Sequence, residues 1–420
     1  MALIPVFLYL IALYVRPQDW APGMVGVPTA FIILPMGLAF GIVNRLKEPE
    51  KFLIPQTWLM AIYLGIIFVT TFLNVDFVTA LGELDLFGRR AVVFYMMIWI
   101  LISPSRLEAA IWMVMLLSAF LAYQAFLQAT YGESWGGMTP YPGYDVIRVR
   151  WYGDWDGPNV FGLLFVMALG MAIEYIFGPH NILVRLVALG LASSYMMAIF
   201  YTNSRGAVLA VACMVLFYFR SRFRSVFAIG LAVSVVAAVL LLGPSRMNEV
   251  SSNEASARER TWLWEQGLNM LKANPVWGIG RDQFARNVDL KLIAHNNFVQ
   301  NFAEMGLVGF FCFVAIMWFS FKGNYMLSDV RYGVSDRMKA LGRMMTSVLV
   351  GYTATTFFVV MELDLFFFML GLCAAVHLVA RREHAGVPQM LFGRNDVLLI
   401  SAAMMAIIVM IWLAAVKHIL

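Results

Sequence analysis

Charge is scarce in this chain. Only 13% of its 420 residues are Asp, Glu, Lys or Arg, while 61% are hydrophobic. With a mean hydropathy of +0.77, that balance excludes the ordinary soluble classes. Cysteine is nearly absent as well. Cys213, Cys312 and Cys373 all fall in apolar runs with no CxxC pair, which makes them small core residues and leaves no disulfide framework to infer. The five histidines show no HxH or HExxH spacing, so no metal is expected. Neither a GxxxxGK[ST] loop nor a GxGxxG opening a soluble domain occurs, so neither ATP nor any other cofactor is expected. Chemistry done here has to start from a substrate that is already activated.

What is present in quantity is hydrocarbon-length apolar sequence. The runs lack the alternation of barrel strands, and hydrocarbon otherwise favours helices. The expectation is an all-α polytopic integral membrane protein with about 12–13 transmembrane helices. The spans lie at 1–15, 27–43, 54–73, 91–102, 109–129, 160–177, 183–200, 207–219, 225–242, 302–319, 346–360, 365–379 and 397–416. Residues 1–15 are apolar from the start and run into Arg16-Pro17-Gln18-Asp19-Trp20, so they read as a retained first helix and not a cleavable leader. One membrane domain, 1–420, is expected. A smaller outer loop covers 131–159, and a long one, 243–301, contains an amphipathic helix.

Lys and Arg collect in alternate connections: Arg45, Lys47 and Lys51, then Arg106, Arg185, the Arg220 to Arg224 group, the loop from Lys322 to Arg343, and Arg381, Arg382 and Arg394. The positive-inside rule places these in the cytoplasm. The other side receives Arg16, the connection 74–90, both named loops, the turn at Ser204-Arg205-Gly206 and the turn around Glu362. Arg89 and Arg90 run against the rule but are outnumbered. The net charge of +5 is accounted for by loops facing anionic lipid and calls for no nucleic acid.

Three polar stretches on the outer side carry the chemistry. In Tyr201-Thr202-Asn203-Ser204-Arg205-Gly206, the arginine stands at a helix end, where snorkelling is one explanation. The other is an anion site, with Gly206 permitting a tight turn and Ser204 capping the following helix. Ser256 to Glu265 presents Arg258 and Arg260 at the start of a helix striped by Trp264, Leu268 and Leu271 and ended near Asn274-Pro275. Surface pairing with Glu259 and Glu265 is the plainer reading of those arginines. Finally, His295-Asn296-Asn297 precedes Asn301, Glu304, Gly306 and Gly309 at re-entry into the bilayer. A neutral imidazole accepts a hydroxyl proton, and forked guanidiniums stabilise a phosphate-rich leaving group without a metal.

These residues resemble the bacterial O-antigen ligase and O-antigen polymerase superfamily. The resemblance rests on Ser204-Arg205-Gly206, Arg260 with Trp264, Asn274-Pro275, Gly278-Ile279-Gly280, His295-Asn296, and Glu304 with Gly306 and Gly309. Gly157-Pro158-Asn159 looks like the Pro-Asn signal of the same family. It implies a membrane glycosyltransferase that moves a glycan from undecaprenyl diphosphate to an acceptor hydroxyl at the periplasmic face of the bacterial inner membrane, with inversion. His295, Arg260 and Arg205 are the implied catalytic residues. Arg258, Asn296, Asn159, Arg148, Arg150, Trp155 and Glu304 are candidate substrate contacts, Trp155 as one of several aromatics in 131–159 able to stack on sugar or to anchor in the interface. Arg16 to Trp20 resembles a subgroup described as O-glycosylation ligases, associated with exosortase A systems. The partners implied are the lipid-linked donor, a protein, lipid or glycan acceptor, and membrane lipid. A polymerase remains the alternative within the family. A lipid-linked oligosaccharide transporter would show paired broken helices or charges buried in spans, and neither is evident.

Overall fold

The computed structural model describes residues 2–47, 54–142, 146–223, 230, 250–360 and 363–416, and every described element of length is helical. In chain order these are α1 (Ile4–Tyr14), α2 (Pro17–Trp20), α3 (Thr29–Lys47), α4 (Pro55–Asn74), α5 (Phe77–Ile100), α6 (Pro104–Tyr131), α7 (Pro158–Phe177), α8 (Ile182–Thr202) and α9 (Arg205–Phe223). After the gap in description come α10 (Val250–Ala273), α11 (Asn297–Tyr325), α12 (Asp336–Thr356), α13 (Asp364–Glu383) and α14 (Arg394–Val416).

The all-α polytopic fold is as expected, and among the described residues 7 helices are long and apolar enough to cross a membrane: α4, α6, α7, α8, α11, α13 and α14. The other spans differ in instructive ways. α1 has 11 residues, about 16 Å of helix, which falls short of a bilayer core of roughly 30 Å. It ends where Arg16 turns left-handed (φ 55°) ahead of Pro17. The segment 74–90, expected as a connection, is helical instead. Asp76 caps α5 by accepting from the Thr79 N–H at 2.8 Å, and the helix continues through Arg89 and Arg90 to Ile100. Those charges are accommodated by an Arg89–Asp85 pair at 2.9 Å and an Arg90–Asp364 pair at 3.3 Å. Apart from Gly230, the expected span at 225–242 lies outside the described residues, as do Lys51, Tyr144 and Glu362.

The two ends of the bundle separate by charge. At one end Arg106 donates to the Ile100 carbonyl, Arg185 to Gly178, Arg222 to Phe177 and Arg382 to Ile102. Each guanidinium satisfies carbonyls that a terminating helix leaves open. At the other end lie the turn between α8 and α9, the start of α7, the 131–159 loop and the turn before α11. α7 and α13 are almost wholly buried, so they form the centre of the bundle, while α8 and α14 turn most of their surface outward.

Candidate active site opposite the basic end

α8 stops at Asn203, which adopts the left-handed conformation (φ 50°) that Asn tolerates, and its Nδ2 donates to the Ile147 carbonyl at 2.8 Å. The buried Ser204 then caps α9, accepting from the Ala207 N–H at 3.3 Å, and Arg205 projects exposed from the first turn. A methyl on Gly206 would come within 3.2 Å of Phe358, so the glycine lets this turn sit against the end of α12. Phe357, the adjacent residue, packs on Phe298 with ring centroids 4.7 Å apart. Through those two contacts the Arg205 turn and the His295 turn share one end of the fold.

His295 is itself left-handed (φ 49°) and half-buried. Behind it, Asn296 is sealed from solvent and caps α11, its Oδ1 accepting from Phe298 N–H at 2.9 Å and Val299 N–H at 3.2 Å. The Nδ2 of Asn296 makes no hydrogen bond among the described residues. The backbone of the turn is fixed from below. Gln300 Oε1 accepts from Ala294 N–H at 3.0 Å, while Gln300 Nε2 donates to Glu304, whose Oε1 also accepts from Phe284 N–H at 3.2 Å. Glu304 therefore orders the loop from inside. It is fully buried beside Arg281, Nη1 to Oε2 at 3.0 Å, and no face of it reaches the surface where a substrate contact was expected.

α10 brings the second arginine. Leu263, Leu268 and Leu271 are buried, and Gly267 sits so close to Val299 that an added Cβ would lie 2.3 Å from Cγ1. The helix is thus clamped onto α11 and does not merely rest on the outer surface. Arg258 is exposed and Arg260 half-buried on this helix. Burial holds the His295 imidazole below its ordinary 6.5, the Arg260 charge lowers it further, and Glu259 acts in the opposite sense. The ring is consequently neutral at physiological pH, in the form that accepts a proton.

The glycine motif explains how the loop and the span hold together. Gly306 (φ 62°, ψ −167°) breaks α11, freeing the carbonyls of Ala303 and Glu304 and the N–H groups of Leu307 and Val308. An unbroken helix would have joined these as two i, i+4 pairs. The segment after α10 replaces both: Ile279 N–H donates to Ala303 O at 3.1 Å, Gly280 N–H to Glu304 O at 2.9 Å, Leu307 N–H to Pro275 O at 2.8 Å and Val308 N–H to Val276 O at 3.4 Å. A Cβ on Gly278 would lie 2.4 Å from Glu304 backbone atoms, and one on Gly306 2.2 Å from the Val276 carbonyl oxygen.

The remaining expected contacts are all engaged within the fold. Arg148 is buried and ties two helix ends together, donating to Thr202 O at 3.4 Å and Asn159 Oδ1 at 3.2 Å. Arg150 pairs with Asp156 at 2.8 Å and donates to Thr139 O at 3.0 Å. Trp155 has no exposed face: its Nε1 donates to Leu13 O at 2.8 Å and its ring packs on Tyr14. Arg16 pairs with Asp19 and lies 3.7 Å from Asp154, its guanidinium filling the space above Gly153. Arg281 and Gln300 were missed by sequence reasoning. The Gly280-Arg281 step and the Gln300, Glu304 spacing of four were the only local signals.

Residues 186–314 match the Wzy_C family, described as O-antigen ligase. The matched stretch runs from α8 through the Arg205 turn, α10 and the docked segment into α11, and leaves Arg16 to Trp20 and Gly157 to Asn159 outside. No curated protein matches the chain.

Proposed function

We propose that this polytopic membrane protein transfers a glycan from undecaprenyl diphosphate to an acceptor hydroxyl at the periplasmic face, as an O-glycosylation ligase. What supports the reading is that the Arg205 turn, Arg260 and His295 lie at one end of the bundle, inside the stretch that matches O-antigen ligases. In this proposal His295 takes the proton of the incoming hydroxyl while its oxygen attacks the anomeric carbon. The bond to the diphosphate breaks on the opposite side, so the configuration inverts. Arg205 and Arg260 bind the departing diphosphate, Arg258 contacts substrate beside them, and the sealed Asn296 positions the His295 turn from behind. Arg148, Asn159, Arg150, Trp155 and Glu304 hold the frame in which those groups sit. The subgroup assignment draws on Arg16 to Trp20.

Replacing Arg205 or Arg260 by Lys keeps the charge and removes the planar fork. Each variant is expected to insert normally and to lose on the order of 10-fold in transfer or donor affinity, the worth of one charge-assisted hydrogen bond. Turnover by purified protein in vesicles containing a defined lipid-diphosphate glycan measures this. Wild-type donor affinity and turnover in both variants would remove the arginines from the mechanism.

Orientation is tested separately. With Cys213, Cys312 and Cys373 replaced, cysteines introduced at positions 47 and 295 are expected to differ in intact cells. Position 295 should react with an impermeant maleimide, and position 47 only after the inner membrane is permeabilised. The reverse pattern inverts the proposed topology.

A further inference from the structure

A cavity of about 400 Å3 opens at the basic end of the bundle, the far end of α7 from Asn159 and outside the site described above. Its wall is an aromatic row. Trp112 and Tyr175 have ring centroids 4.8 Å apart, and Tyr175 and His180 also 4.8 Å. Tyr175 is 3% exposed, and its hydroxyl, closed off from solvent, has the Trp112 indole as its side-chain hydrogen-bond neighbour and so helps fix the ring that borders the cavity.

The charges around the cavity alternate. Arg337 and Glu108 form a bidentate pair at 2.7 and 2.6 Å and remain partly exposed. Deeper in, Glu174 is sealed and clamped by Arg343 at 2.8 and 2.6 Å, so its charge is already matched. A net anion entering here would meet Glu108 as well as Arg337, and a net cation the reverse. A group carrying both signs a few ångströms apart can lay its phosphate toward Arg337 and its ammonium toward Glu108 and the Trp112 ring. At the rim, Val184 leads onto the exposed apolar face of α8, where Ile182, Leu183, Leu186 and Val187 point outward. An acyl chain can follow that face from a headgroup held in the cavity.

We propose that this cavity binds the headgroup of a zwitterionic phospholipid with a primary ammonium, of the phosphatidylethanolamine type. The site is independent of the transfer reaction. Native mass spectrometry of the detergent-purified full chain, titrated with phosphatidylethanolamine, phosphatidylcholine, phosphatidylglycerol and soluble glycerophosphoethanolamine, tests it. Wild type is expected to bind phosphatidylethanolamine at least about 10-fold more tightly than phosphatidylglycerol, with phosphatidylcholine between them, since trimethylation keeps the cation–π contact but removes the hydrogen bonds. Trp112→Ala should weaken phosphatidylethanolamine binding about 10-fold, and the near-isosteric Tyr175→Phe about 3-fold, with phosphatidylglycerol unchanged. Phosphatidylglycerol binding as tightly as phosphatidylethanolamine in wild type overturns the proposal without recourse to any variant. So does a soluble headgroup that binds as well as the lipid, or undiminished lipid binding by both variants.

Discussion

His295→Ala is expected to lower single-turnover transfer by on the order of 100-fold or more while donor binding and membrane insertion persist. The turn that carries His295 is held by Ala294, Asn296 and Gln300, so removing the imidazole leaves its support in place. Because the residue is left-handed (φ 49°), His295→Asn is a useful companion: Asn accepts that conformation yet offers no base of comparable strength. The pH dependence adds a second signature. Burial and Arg260 both lower the imidazole pKa, so transfer should hold down through the ordinary value of 6.5 and fall only as pH drops through the lowered one. Arg260→Gln removes one of those two causes and should move the acid limb upward, toward 6.5, on top of any loss in rate. Near-wild-type single-turnover transfer by His295→Ala at saturating donor and acceptor would defeat an essential role. An acid limb that does not move in Arg260→Gln would separate the two residues electrostatically.

The largest effect on stability is expected at the glycines that join loop to span. Gly278→Ala and Gly306→Ala each place a methyl on a left-handed residue, and each methyl meets backbone of the other segment, at 2.4 and 2.2 Å respectively. Backbone cannot rotate away as a side-chain tip can. Combining the left-handed penalty with overpacking gives roughly 2–5 kcal/mol per substitution. Both variants should show reduced yield of monodisperse protein and a lowered thermal midpoint in detergent. Gly190→Ala, in α8 with nothing within 4 Å of its Cβ, serves as the control. Unchanged midpoints in both variants would mean that the two segments do not interlock as described.

The sequence made some of this legible and hid the rest for physical reasons. His295, Arg260 and Arg205 stood out as candidates because unusual chemistry at helix ends is conspicuous against an apolar background. Gly278 and Gly306 were visible as motif letters, but their purpose was not, since mutual close approach between residues in different segments leaves no local trace. Trp155 was misplaced for a related reason. An aromatic in a polar loop looks the same whether it faces sugar or, as here, donates to the end of α1. Glu304 followed the same course: a carboxylate near a site suggests a contact, and only the fold shows it turned inward to Arg281 and Gln300. The extension of α5 back to Phe77 was obscured by Arg89 and Arg90, whose partners Asp85 and Asp364 lie in part far along the chain.

The break in α11 also sets an order of assembly. A span interrupted at Gly306 enters the bilayer with two carbonyls and two N–H groups unsatisfied, each costing several kcal/mol in hydrocarbon. Their partners, Pro275 to Gly280, come earlier in the chain and so have been synthesised before the span leaves the ribosome. The loop can therefore act as a template on which the second half of the helix is completed. Exchanging that order, by a circular permutation that moves 250–280 behind α11, would strand the break during synthesis even though every final contact could still form.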